Sequence, residues 1–325
     1  MALWTPAEIT TALWLDAADA STITESSGSV SSWADKSGND RHATQGTALH
    51  QPEYDSVNKR VVFDKANSEF MDLASQPFTG TTARTVVAVV NSVAYGSIGN
   101  GFFSASNSSS NPAGRLWDLC IESNGFYIRI AGNDHFTPAV TNNTDALIVA
   151  QWESGSSSNS SVWHDGSALS RSGGVSQTIN TLSGTARIGR TERQPNEYFD
   201  GYTYELIVVT GTLTTDDRHK LEGYLAHKWG LAASLPAEHP YKDSAPMMLA
   251  LFDGTITDKD GNPAERRITV LDATGYCVAT DTSDPVTGAY SIAVPAESPY
   301  TLVFDGEPDR NAQVFANVIP GEPPA

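Results

Sequence analysis

The chain has 325 residues, of which 39% are hydrophobic and 18% are charged, and its formal net charge is −18. That length suggests two domains, and the apolar content is sufficient for packed cores. The acidity argues against a nucleic-acid partner and against binding to an anionic membrane, so we expect neither nucleic acid nor membrane insertion.

Short apolar segments separated by turn residues occupy the chain as far as about residue 210. Thr5 precedes Pro6 at a predicted helical turn, and a buried strand is predicted at Ala12–Ala17. Asn124-Gly125 and Asp165-Gly166 each predict a hairpin turn. The pattern is typical of a domain built from many short strands.

One helix is predicted after these strands. It begins after Thr214, carries apolar side chains at helical spacing, and ends near Gly230. The proline-containing segment 235–246 has the composition of a linker. Short strands resume after Met247, which predicts a small antiparallel sandwich.

The cysteines and the N-terminus bear on the compartment. Cys120 and Cys277 fall in different predicted domains, and neither has a second thiol nearby, so we expect no disulfide and no zinc site. The N-terminus has neither the basic start nor the apolar run of a secretory signal. These features predict folding in a reducing cytoplasm.

Several motifs in the first 232 residues resemble one family. Leu13–Asp16 and Trp33–Asn39 match its opening strand and loop, and Ala186–Arg190 and Phe199–Val209 match its closing strands before the helix. On these motifs, residues 10–232 resemble laminin-G-like, concanavalin A-like jelly rolls. The resemblance implies a fold and implies no particular activity.

A second set of motifs follows residue 246. Gly254–Asp258 and Gly288–Ile292 resemble the carboxypeptidase-regulatory-like module, which is a transthyretin-like sandwich. Ser283–Tyr290 together with Asn311–Pro320 resembles the longer form that ends many bacteriophage tail and virion proteins. That form often carries a charged residue where Ala316-Asn317 stand here. The resemblance implies a protein that belongs to a virus particle.

The predicted fold class is therefore all-β. A concanavalin A/laminin-G-like jelly-roll sandwich with one late helix is followed by a small Ig-like, transthyretin-like β-sandwich. The predicted boundaries are 1–234 for the jelly roll, 235–246 for the linker, 247–319 for the second sandwich and 320–325 for an extended C-terminal arm.

Concanavalin-like folds also include enzymes that cleave polysaccharides, so the acidic residues bear on whether the chain is an enzyme. Retaining glucanases of this fold carry Glu-x-Asp-x-Glu runs, because alternate strand positions point into one cleft. The sequence has no such run, and Gly201 interrupts its nearest cluster, Glu197, Asp200 and Glu205. We therefore predict a protein that is not an enzyme.

A loop near the N-terminus offers oxygen ligands to a hard cation. Asp35, Ser37, Asn39 and Asp40 lie close together, which is a pattern that Ca²⁺ can use. The alternative is an Asx turn in which these side chains bind local backbone groups. Ca²⁺ is the only cofactor that the sequence suggests, and none is required.

Glycan binding needs exposed aromatic rings beside polar groups. Most aromatic residues of the β-rich domain are expected to pack in its core. Phe102-Phe103 follows a glycine-rich segment, and His135-Phe136 follows Asn133-Asp134, so these four are the predicted ligand-binding residues.

The leading functional hypothesis is a phage virion structural protein of the tail or baseplate, giving adhesion or subunit contacts without catalysis. Its partners would be other tail proteins, further copies of itself in a symmetric particle, and a host surface glycan. It would be made in the host cytoplasm and reside in the virion. The alternatives are a receptor-binding lectin for a host glycan, a polysaccharide-cleaving enzyme, and a bacterial surface adhesion module.

Overall fold

The computed structural model describes residues 3–93, 100–105, 114–122, 125–129, 133–138, 141–174, 176–191, 197–295, 299–306 and 312–318. The chain divides into a larger unit, Thr5–Ser244, and a smaller unit, in which Met1–Trp4 joins Ala245–Ala325. The predicted arm at 320–325 lies outside the described residues. No helix in the described ranges is long and apolar enough to span a membrane.

The larger unit is built almost entirely from strands. They are β1 Thr11–Asp16, β2 Ile23–Ser26, β3 Ser29–Trp33, β4 Ala43–Thr44, β5 Glu53–Asp55, β6 Arg60–Phe63, β7 Met71–Leu73, β8 Arg84–Ser92, β9 Asn100–Ser104, β10 Asp118–Glu122, β11 Gly125–Arg129, β12 Asn133–Thr137, β13 Asp145–Trp152, β14 Ser160–His164, β15 Ser167–Ala168, β16 Ser170–Gly173, β17 Arg187–Ile188 and β18 Gly201–Thr210. Short 3-10 helices lie at Pro6–Glu8, Ala20–Thr22, Ala48–His50, Lys65–Asn67, Ser157–Asn159 and Ala232–Ser234.

These strands form two layers around one core. The first layer runs β1–β18–β8–β13–β14, and the second runs β4–β7–β17–β9–β10–β11–β12–β16, all antiparallel. Alternate residues of each layer, such as Val86 and Val208 in the first and Phe103 and Ile128 in the second, share one buried cluster. Burial of this apolar surface is the main stabilising contribution to the fold. The described part of the chain forms the predicted all-β jelly-roll sandwich.

The predicted late helix is α1, Thr215–Lys228. It begins where expected, because the Thr214 hydroxyl accepts a hydrogen bond of 3.1 Å from the Asp217 amide. Leu221 and Leu225 are fully buried, and the helix packs against β13. The helix therefore covers the outer side of the first layer.

The first ten residues of the predicted linker are part of the jelly roll. Residues 235–244 belong to the larger unit, in which Leu235 and His239 are 3% and 6% exposed. The Leu235 side chain and the His239 ring lie beside Gly166, where a Cβ atom would come within 3.3 Å of both. Leu235 and His239 thus pack on the jelly roll beside Gly166. The composition of the segment does not indicate these contacts.

The described residues of the smaller unit form six strands: β19 Leu249–Thr255, β20 Arg267–Leu271, β21 Cys277–Thr282, β22 Ala289–Pro295, β23 Tyr300–Phe304 and β24 Gln313–Val318. β19 pairs with β22, and the second sheet runs β21–β20–β23–β24. Residues from both sheets, including Phe252, Ile292, Val270 and Leu302, share one core. This unit is a small antiparallel β-sandwich.

We expect the smaller unit to lose stability in acid through three turn aspartates. Backbone amides donate to Asp258 and Asp284 at 2.7–2.9 Å, and these turn hydrogen bonds lower the pKa of both carboxyls. The Thr274 hydroxyl, which donates to Asp272 at 2.6 Å, and backbone amides at 2.8–3.0 Å lower the pKa of that carboxyl. A lowered folded-state pKa gives stability that is complete above the unfolded value and is lost as the pH falls through the folded value. The loss is therefore expected below about pH 4.

Hydrogen-exchange mass spectrometry of the full chain between pH 5 and pH 2 checks this expectation. The triple variant Asp258→Asn, Asp272→Asn, Asp284→Asn keeps the acceptor oxygens and cannot titrate, so peptides within 249–295 should retain more of their protection in acid. Equal losses in the two proteins would contradict it.

Candidate functional site

The prediction of exposed glycan-binding side chains is wrong for three of the four residues. Phe102, Phe103 and Phe136 are 1%, 0% and 1% exposed. Phe102 packs against Phe126 and Phe199, with ring centroids 6.2 and 6.1 Å apart. The backbone of His135, in β12, pairs with that of Tyr127 in β11, and the His135 side chain is outside the described part of the structure. The three phenylalanines lie on strands and pack in the core, not in exposed loops.

Gly101 shows why the glycine-rich flank was misleading. A Cβ atom at this position would lie 1.9 Å from the Thr191 methyl group. The glycine is required for close packing between two segments, not for an exposed loop.

The loop considered for Ca²⁺ has the geometry of the alternative, an Asx turn. Asp35 Oδ1 accepts from the amides of Trp14 and Ser37, both at 2.9 Å, and Oδ2 accepts from Ser37 Oγ at 2.8 Å and the Arg41 amide at 3.0 Å. Asn39 donates its amide group to Thr11 O at 2.9 Å. The Asp40 side chain is 91% exposed. Asp35 Oδ1 thus joins the loop to β1, and Oδ2 accepts hydrogen bonds from within the loop.

A row of polar side chains crosses the outer face of the second layer. Asp72, Arg187, Ser104, Asp118 and Arg129 lie opposite one another on β7, β17, β9, β10 and β11. Their chain neighbours point into the core, so these five side chains share the opposite face. We call this row the charged ladder.

One end of the charged ladder is buried and the other is open. Ser104 and Asp118 are fully buried and joined by a hydrogen bond of 2.6 Å. The side chains of Arg187 and Asp72 are 16% and 43% exposed and form an ion pair of 2.5 Å. A ligand can therefore reach the ladder at its β7–β17 end.

Two glutamates flank the buried end. Arg129 Nη1 lies 2.6 Å from Glu197 Oε1, and its Nη2 contacts Glu122. Arg129 is 3% exposed and Glu197 is 2% exposed. Burial opposes the charge of Arg129, but Cys120, Glu197 and Asp118 together raise its pKa. Glu122 and Glu197 are therefore ion-pair partners of Arg129.

At the open end two arginines surround a pair of aromatic rings. The Phe70 and Tyr198 rings lie 6.2 Å apart at 47°. The Arg190 guanidinium carbon lies 5.4 Å from the Phe70 centroid and 5.1 Å from that of Tyr198, and Arg187 lies 5.4 Å from Phe70. His50 lies 6.1 Å from Phe70 on another side. All five side chains are half-buried, and we call them the arginine–aromatic patch.

The backbone fixes the positions of this patch. Arg190 pairs with Tyr198 in an isolated antiparallel bridge, beside a hydrogen bond of 2.8 Å from the Phe199 amide to Gly189 O. Gly189 has φ +80°, and a Cβ atom there would lie 2.3 Å from the Phe63 ring. The chain thus has a glycine directly before Arg190 where no other residue fits, and the isolated bridge places Arg190 beside Tyr198.

A further polar cluster joins α1 to the segment 235–244. Arg218 Nη1 donates to both oxygens of Glu222 at 2.8 and 2.7 Å, and His239 Nε2 lies 3.2 Å from Glu222 Oε2. His219, Glu222 and His239 have the donor atoms of a metal site, all within 4.8 Å. The Arg218 guanidinium already supplies the cation, and the Tyr241 amide donates to His239 Nδ1, which leaves the ring proton on Nε2. The cluster therefore holds the segment 235–244 against α1 and has a structural role.

Some of these residues could have been found in the sequence. Asp118, Cys120 and Glu122 alternate along one strand, so they share a face. Arg187 and Arg190 lie in the Ala186–Arg190 motif, whose resemblance implies a closing strand and does not mark a binding residue. The register that brings Phe70 to Tyr198, 128 positions later, leaves no local signal.

Comparisons with known proteins give fold likenesses of modest size. No family model matches the sequence, and no curated protein matches it. Domain 4 of an extracellular arabinanase from Geobacillus stearothermophilus, solved with arabinotriose, is 13% identical with a TM-score of 0.43, over 66% of this chain and 98% of that one. A sialidase carbohydrate-binding module from Ruminococcus gnavus, bound to sialyllactose, is 16% identical with a TM-score of 0.32, over 42% and 80%.

A sialidase from Trypanosoma rangeli is 12% identical, with a TM-score of 0.41 over 63% of this chain. This chain spans about a third of the sialidase, 31% of its length. Likenesses with TM-scores below 0.5 do not assign an activity. The architecture and the site define a class, namely a two-unit β-sandwich protein with a charged and aromatic face on its jelly roll.

Proposed function

We propose that the chain is a non-catalytic adhesion protein whose jelly roll binds a surface glycan at the arginine–aromatic patch. The observation that carries the proposal is the pairing of two half-buried rings with guanidinium and carboxylate groups on one rigid sheet face. Aromatic rings present flat apolar surface to the C–H face of a sugar, and charged groups hydrogen-bond its hydroxyls. Asp72, which is paired with Arg187, supplies the carboxylate.

The state of the acids on this face supports binding without turnover. Glu122 and Glu197 both contact Arg129. A glycosidase needs one carboxyl group that is placed to protonate the glycosidic oxygen, whereas these two carboxyl groups are engaged with one buried guanidinium. The buried end of the ladder is therefore better suited to holding the sheet face rigid than to acid catalysis.

Replacing Tyr198 or Phe70 by alanine should weaken glycan binding about 10- to 30-fold, because truncation of a ring at the centre of a contact removes about 2 kcal/mol. The measurement is glycan-array screening of the full chain, followed by titration calorimetry with the best ligand. Tyr276→Ala is the matched control, because this ring is 77% exposed in the smaller unit. Binding that survives both patch substitutions would place the site elsewhere and refute the proposal.

We also propose that this adhesion operates on a bacteriophage particle, with several copies of the chain in the tail or baseplate. The resemblance of Ser283–Tyr290 and Asn311–Pro320 to the module that ends many tail and virion proteins supports this setting. It implies synthesis in the host cytoplasm and contacts with other tail proteins. Mass spectrometry of purified particles tests it, and particles that lack the chain would contradict it.

A further inference from the structure

Lys228, the last residue of α1, contacts two buried carboxylates of the jelly roll. Its Nζ atom lies 2.7 Å from Asp16 Oδ1 and 2.6 Å from Glu205 Oε2. The side chains of Asp16 and Glu205 are 5% and 0% exposed, and the two residues lie opposite each other on β1 and β18. The fold thus holds a primary amine and two carboxyl groups in contact, from three separate segments of the chain.

Aromatic side chains line this contact. Nζ of Lys228 lies 5.2 Å from the ring centroids of both Tyr224 and Trp229. The indole nitrogens of Trp14 and Trp229 donate to Glu205 at 2.7 and 2.8 Å. Burial raises the pKa of Glu205, so this carboxylate takes up a proton more readily than an exposed glutamate does.

The same contact brings the amine close to a carboxyl carbon. Because Oδ1 is bonded to Cγ of Asp16, Nζ of Lys228 lies no more than about 4 Å from that carbon. Groups that are held this close react far faster than the same groups free in solution. Lys36 Nζ, which lies 2.9 Å from Asp16 Oδ2, is placed to stabilise charge on that oxygen as it departs.

We propose that Lys228 and Asp16 form an intramolecular isopeptide bond, with Glu205 as the proton acceptor. Glu205 takes one proton from Nζ, and the neutral amine attacks Cγ of Asp16. The N–C bond forms and the bond between Cγ and Oδ2 breaks. Oδ2 leaves as water with two of the three ammonium protons, one of them returned by Glu205. The ion pair of the structure is the state before this condensation, which needs no oxidant, reductant or cofactor.

A second lysine on the same helix provides the contrast. Lys220 Nζ lies 2.6 Å from Asp216 Oδ2, as close as the carboxylates lie to Lys228, but the Asp216 side chain is 70% exposed. Water stabilises the charged forms of an exposed pair, and neither charged form reacts. We expect no bond between Lys220 and Asp216.

Intact-mass spectrometry of the purified, denatured full chain tests the proposal. We expect a mass lower than that of the sequence by one water molecule, once removal of Met1 is taken into account. Trypsin should release the peptide that ends at Lys36 joined to residues 221–242, without cleavage after Lys228. The full sequence mass, or a lost water located outside these two peptides, would overturn the proposal.

Variants assign the reacting groups. Lys228→Arg keeps the positive charge without the amine, so it should have its full sequence mass. Glu205→Gln keeps an oxygen beside Nζ that cannot take up the proton, so the joined peptides should decrease about tenfold or more. Lys220→Arg is the matched control and should still lose one water. A lost water in Lys228→Arg would overturn the bond, and undiminished joining in Glu205→Gln would overturn the role of Glu205. The mass of the unsubstituted chain decides the bond itself, whether or not each variant folds.

Discussion

Replacing Arg84 by methionine is expected to lower the free energy of unfolding of the larger unit by about 3 kcal/mol or more. Arg84 is fully buried in the core. Its guanidinium lies 4.3 Å from the Phe78 centroid and 4.9 Å from that of Trp152. Its nitrogens donate to Thr82 O at 2.7 Å, Thr181 Oγ1 at 2.7 Å and Gly80 O at 3.0 Å. Methionine fills much of the volume but removes the donor to Thr82 O and Thr181 Oγ1, whereas Gly80 O keeps the hydrogen bond of 2.9 Å from the Thr181 amide.

Urea denaturation followed by tryptophan fluorescence measures the effect. Arg84→Lys retains the charge without the planar fork, so its loss should be smaller than that of Arg84→Met. The exposed Arg267→Met is the control and should change stability by less than about 0.5 kcal/mol. A loss below 1 kcal/mol in Arg84→Met would show that the aromatic rings, rather than the guanidinium, stabilise this region.

The second large effect is expected at Glu205. This residue is fully buried where β1 meets β18, opposite Asp16. Its carboxylate accepts from the indole nitrogens of Trp14 at 2.7 Å and Trp229 at 2.8 Å, and it lies 2.6 Å from Lys228 Nζ. Removal of the carboxylate in Glu205→Ala leaves buried donors and a lysine without their acceptor, which costs about 3–5 kcal/mol.

Thermal unfolding of Glu205→Ala should show this loss as a lower midpoint. Because Lys228 Nζ also binds Asp16 at 2.7 Å, part of its charge remains compensated. The exposed Glu8→Ala serves as the control for loss of a glutamate. If the two variants unfold at the same temperature, the cluster does not hold α1 and β1 together.

Local patterns predicted much of the architecture. The apolar run after residue 11 became β1, and the threonine at 214 caps α1 as its hydroxyl chemistry suggests. Both features depend on a few neighbouring residues, and such short-range signals can be read from sequence.

The candidate site could not be predicted in the same way. Phe102 and Phe103 have glycine neighbours that are typical of loops, but Gly101 lacks a side chain because the Thr191 methyl group packs against its backbone. The patch depends on β17 lying between β7 and β9, which come from segments about 100 positions earlier. Strand register over such separations is determined by the whole core, not by any one segment.

The pairing of β1 with β18 constrains how the protein is made. Thr11 lies opposite Val209 and Asp16 opposite Glu205, so the first strand of the jelly roll bonds to its last. Among the described residues β1 pairs with β18 alone, so during synthesis it has no partner strand until some 200 residues have left the ribosome. At an elongation rate of about 20 residues per second this delay is roughly ten seconds, during which the unpaired strand is exposed to misassembly. Slow, non-local closure of this kind predicts that yield will depend on temperature and chaperone supply more than on the final stability of the fold.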